Sequence, residues 1–138
     1  MNKIQEIRHI LTMLDAQEWV DNQAIANKIN RAVKLLTISN EKRREIDRGL
    51  TGLYAIPNYL TSLDAIKGLE REGWYPIVYA ISNGAGCIMG YQASMFSMYG
   101  KVDAPDSPTK PLFLTEHAAR LYAVLLTWTY EEEQNNDE

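Results

Sequence analysis

Two strand-forming runs between Trp74 and Tyr99 set the main constraint on this chain, because a sheet of two strands is marginal in water unless something covers it. Residues 74–81 are rich in Tyr, Ile and Val. The tetrad Asn83-Gly84-Ala85-Gly86 is a turn signal that folds the chain back into a second strand within residues 87–99. Pro76 predicts that the first strand begins at a sheet edge, and Gly90 marks a bulge in the second. Cover must come from helices or from a second subunit.

Helices are predicted on both sides of this hairpin. Thr61, with Asp64 three residues on, makes a helix start; Ala65, Ile66 and Leu69 form its buried stripe and Gly73 its left-handed stop. Thr115 caps a closing helix whose apolar positions Ala118, Leu121, Tyr122, Leu125 and Trp128 spill round to Ala119, Val124 and Leu126. A helix so broadly apolar packs on more than one face. Upstream, Ile4, Ile7, Ile10, Leu11 and Leu14 predict an amphipathic helix over residues 3–14. Asp21 or Asn22 caps a second, striped by Ile25, Ile29, Val33 and Leu36, and Ser39 or Asn40 a third running through Ile46 and Leu50. The break at Ile56-Pro57 divides the chain. The expected class is therefore α+β: a helical extension over residues 1–55, an α-β-α sandwich-like unit on a short antiparallel sheet over 56–130, and an acidic, frayed tail over 131–138.

Charge and composition bound the function. With 138 residues, 46% of them hydrophobic, the chain can bury a core. It carries no apolar run of the ~18–20 residues a bilayer requires. Its first residues lack the apolar core of a signal peptide, so a cytoplasmic protein is expected. Residues 1–56 hold nine Lys/Arg against seven Asp/Glu, a net +2, whereas residues 57–138 hold five against eleven, a net −6. That balance gives no general attraction to nucleic acid. Lys42, Arg43, Arg44 and Arg48 form the one basic cluster, interleaved with Glu41, Glu45 and Asp47 as on a solvated helix face. If the second and third helices made a helix-turn-helix, this cluster would meet a phosphate backbone. That defines an alternative reading as a DNA-binding regulator.

The segment Tyr59-Leu60-Thr61-Ser62-Leu63-Asp64-Ala65-Ile66, then Glu72-Gly73-Trp74, a strand pair and the closing Thr115-Glu116-His117-Ala118-Ala119-Arg120-Leu121-Tyr122-Ala123-Val124-Leu125-Leu126 resembles the phage ABA sandwich domain family. The resemblance covers residues 54–129. Leu60 and Leu63 depart from the family's opening motif, and its frequent cysteine in the final helix is missing. What it implies is a phage or prophage accessory protein with α-β-α layering; it carries over no catalytic residues.

Catalytic and metal readings find little support in the residues. The glycine turn lacks the Gly-Lys-Ser/Thr ending of a phosphate loop. Cys87, the lone cysteine, reads as a small buried hydrophobe more than as a nucleophile with His117 or His9 as base. Asp103 and Asp106, among three prolines, read as solvating a loop, and no metal or cofactor is expected. The aromatic set is the better site signal. Trp74, Tyr79, Tyr91 and Tyr99, with Asn83, Lys101 and Arg120, are the candidate ligand-binding residues, holding a flat ligand by stacking and hydrogen bonding. The expected function is a non-enzymatic, homo-oligomeric binding protein, acting in counter-defence on a host defence protein or a nucleotide signal. A small enzyme with an unrecognised site is the remaining alternative.

Overall fold

The computed structural model describes residues 2–97 and 112–136. Tyr99, Lys101, Asp103 and Asp106 lie outside them. Helix α1 (Lys3–Ala16) starts with an Asn2–Gln5 capping box, and its buried Ile7, Ile10, Leu11 and Leu14 fall on one stripe. Gln17 ends it in the left-handed conformation, with φ 54°. After a 3-10 turn (Glu18–Val20), Asn22 caps α2 (Gln23–Leu36) by accepting from the amides of Ala24 and Ile25. Ser39 caps α3 (Asn40–Asp47), which has no buried residue. Leu50, expected to close this helix's apolar side, is exposed.

Helix α4 (Leu63–Lys67) is shorter than its sequence pattern suggests, and Ser62, not Thr61, supplies its capping oxygen. Gly68 ends it. Gly73, at φ 87°, makes the left-handed entry into β1 (Trp74–Ser82). β1 pairs antiparallel with β2 (Ile88–Ser97), with Trp74 opposite Ser97 and Ile81 opposite Gly90. The register slips between Ile81 and Ser82, placing the bulge beside Gly90. A Cβ on Gly90 would come within 3.0 Å of Leu112 Cβ and of the Phe113 carbonyl, so the bareness of this residue lets segment 112–113 approach β2. There Phe113 and Tyr91 exchange backbone hydrogen bonds of 2.9 and 2.8 Å.

The last helix, α5 (Glu116–Asn136), lies at the centre. One side packs on α1 and another on both strands, with α4 alongside. Its width of apolar surface follows from that: Ala118, Ala119, Leu121, Ala123, Val124 and Leu125 are all buried. The protein is thus α+β, with a two-stranded antiparallel sheet and an N-terminal helical region. Helix α1 packs on α5 and α2 packs on α1, and buried residues from α1, α2, the hairpin and α5 form one hydrophobic cluster. Among the described residues no helix is long and apolar enough to cross a membrane.

Two polar devices tie distant segments together. Gln17, at the end of α1, donates through Nε2 to the Leu112 carbonyl (2.9 Å) and accepts at Oε1 from the Leu114 amide (2.9 Å). Its carboxamide thus does for residues 112 and 114 what a neighbouring strand would do. Further on, α5 continues through Asn136, past the point where composition suggests a frayed tail. Successive helical side chains step by about 100°, so Glu131, Glu132 and Glu133 fan out to Arg71, Lys3 and Arg8. Three carboxylates in the last turns oppose the helix dipole; cations from two other parts of the fold offset them.

Candidate functional site

The described members of the sequence-predicted ligand set, Trp74, Tyr79, Asn83, Tyr91 and Arg120, do not gather into one groove. Trp74 is buried on the core side of β1, its indole N–H donating to Glu131 Oε1 at 3.1 Å and its ring edge-on to Tyr130. Tyr79, an odd number of residues away, points to the opposite face, as strand alternation requires. Asn83 is spent on the hairpin turn, where Oδ1 accepts from the amides of Ala85 (2.8 Å) and Cys87 (3.1 Å). Tyr91 is half-buried opposite Ala80, and Arg120 borders a small recess with Leu63, Glu116 and His117.

Cys87 is exposed, against the expectation of a buried hydrophobe, because the turn carries it beyond the reach of the helices. His117 lies on α5 and His9 on α1, beside other recesses. Among the described residues no group of three His, Cys, Asp or Glu could hold a metal. The basic cluster is divided. Arg43 turns back to α1 and makes a two-pronged bond to Glu6 (2.7 and 2.9 Å), which, against its partial burial, raises its already high pKa. Lys42, Arg44 and Arg48 remain exposed on α3 and its end.

Two features do stand out. The first is the outer row of β1, where Tyr75, Ile77 and Tyr79 are 46%, 39% and 36% exposed while on the strand's other side Trp74 is buried and Val78 packs against the core. Tyr75 stacks on Phe96 across the ladder, centroids 6.0 Å apart. No charged residue falls in β1 or β2.

The second is a cleft of about 430 Å³ where the start of α1, the α2–α3 turn, the stretch after α4 and α5 meet. Leu36, Ile38, Leu69 and Trp128 supply its apolar walls, and Lys3, Glu70 and Arg71 its charges. Trp128 is anchored by its indole N–H, which donates to the Leu69 carbonyl at 2.8 Å. The Arg71 guanidinium lies 4.2 Å from that ring's centroid and Lys3 Nζ 5.5 Å from it, both within cation–π range. Lys3 pairs with Glu132 (3.6 Å) and Arg71 with Glu131 (3.4 Å), yet Arg71 Nε is buried without a hydrogen bond of proper geometry. Glu70 Oε1 is likewise buried and without a hydrogen-bond partner.

Sequence reasoning missed this cleft. Its walls come from residues 3, 36–39, 68–71 and 128, so no local spacing encodes it, and Trp128 reads simply as core. No family model, no curated protein and no solved structure matches the chain.

Proposed function

We propose that this chain is a small non-enzymatic binding protein of phage or prophage origin that seats a partner protein on the open face of its hairpin. The observation that carries the reading is the exposed row Tyr75, Ile77, Tyr79 on a strand whose other face sets Trp74 in the core and Val78 against it. Tyrosine and aliphatic side chains left in water gain on burial against a partner, and aromatic rings are enriched at such contacts. Origin rests on the resemblance of residues 54–129 to phage ABA sandwich proteins, and a counter-defence role on that origin. Adjacent phage or anti-defence genes would support it; an unrelated neighbourhood would count against it.

The direct test is retention from a bacterial lysate by the full chain and by its Tyr75→Ser/Tyr79→Ser variant. A protein held by the parent and lost by the variant supports the reading, while equal retention by both removes the face from it. Self-association is the second form the same face favours. Having no charge in its strands, it meets no like charge when a two-fold axis apposes it to a copy of itself. Light scattering that stays at 15.7 kDa at every concentration excludes this form. For the nucleotide-signal form, incubation with cyclic and ADP-ribose-like nucleotides that leaves nothing bound is the excluding result.

A further inference from the structure

The charges in the Trp128 cleft are unequally provided for. Lys3 and Arg71 each have a carboxylate of α5 as counter-ion, whereas Glu70 has no cationic partner among the described residues, and its Oε1 is enclosed without a donor. A buried acceptor left unmade is costly, and more so when it is ionised. Glu70 itself is half-buried and lines the cavity, so a guest entering there meets this carboxylate. Leu36, Ile38, Leu69 and Trp128 give the cleft an apolar wall beside the polar Thr37 and Ser39, and the volume falls in the range of small-molecule sites.

We infer that this cleft binds a small organic cation, a primary ammonium or guanidinium on an apolar body, with Glu70 as its counter-ion. The charged head donates to the Glu70 carboxylate in a charge-assisted hydrogen bond. The apolar body lies along Leu36, Ile38 and Leu69, away from Lys3 and Arg71. An anionic guest gains less, since both cations already have partners and Glu70 repels it. The site lies away from the β1 face and stands independently of the docking proposed there.

The test is an NMR titration of the full chain with phenethylamine, agmatine and the neutral near-isostere 2-phenylethanol. Phenethylamine should saturably shift the Trp128 indole N–H and the amides of Gly68–Arg71, and the alcohol should bind at least about tenfold more weakly. Glu70→Gln should weaken the amine by about tenfold or more, with the melting temperature of the free protein unchanged or raised because a buried charge is removed. Equal affinity for amine and alcohol, shifts confined to β1, or no response to either amine overturns the inference. The amine–alcohol comparison uses unmodified protein, so it stays decisive if the variant misfolds. A lysate partner lost on Tyr75/Tyr79 substitution would still stand if the amines failed, so the two ideas fall separately.

Discussion

Asn30 shows how one buried amide can hold two segments. Its Oδ1 accepts from the Tyr59 amide at 3.0 Å and its Nδ2 donates to Asn58 Oδ1 at 3.2 Å, joining α2 to the chain that leads into α4. Asn30→Ala strands the Tyr59 N–H and should cost about 1–3 kcal/mol in urea unfolding. Tyr59 sets a second prediction. Burial raises its phenol pKa, so the unfolded chain loses this proton at lower pH than the native state. The associated stability is complete below the ordinary tyrosine pKa of about 10 and is lost as pH rises through the higher native value. Tyr122, raised by burial and then by Asp15, acts in the same sense. Tyr59→Phe should therefore match the parent's urea midpoint at neutral pH and fall less steeply in alkali; identical alkaline slopes would refute this. None of it is legible beforehand, because Asn30 adjoins both the buried Ile29 and the exposed Arg31 in sequence and its partner is 29 positions away.

At the scale of elements, chemistry confined to a few neighbouring residues was readable and long-range partnership was not. Asn22, Ser39 and Thr115 cap their helices as their side chains foretell, and the Asn83–Gly86 turn lies where its glycines place it. The closing helix was readable as packed on more than one face, since Ala, Leu and Trp surround it. What packs on each face was not, nor was the cleft, whose residues are brought together by folding alone. Residues 112–114 are the sharpest case. They show no strand pattern, yet Phe113 is paired to β2 and its neighbours are held by Gln17. Gln17→Glu keeps the acceptor for Leu114 and sets a carboxylate oxygen against the Leu112 carbonyl. It should lower stability by about 1–3 kcal/mol, with faster hydrogen exchange at Leu114 and Phe113; unchanged exchange would show that the clasp is dispensable.

For the molecule as a whole, the far end of α5 is a fastening. Glu131 meets both Arg71 and the Trp74 indole, Glu132 meets Lys3, and Glu133 meets Arg8. The Arg71–Glu131 side chains are 37% and 31% exposed, so water screens the pair and its worth is at most about 1 kcal/mol. Glu131→Gln keeps an acceptor for Trp74 and should change the melting temperature little. Glu131→Lys apposes two cations and orphans the indole N–H, and should cost about 1–3 kcal/mol. A calorimetric scan of both variants separates charge from hydrogen bonding, and equal losses would show that packing alone holds this end.

Because α5 is the hub and the last of the described elements in chain order, it is also the last of them to leave a ribosome. Until then Ile7, Ile10 and Leu14 lack their main partner, and the hairpin's inner face has no helix to lie on. A nascent chain of this protein therefore carries apolar surface that stays uncovered until α5 has been made. Its assembly waits for α5, with the long sequence separations that slow folding.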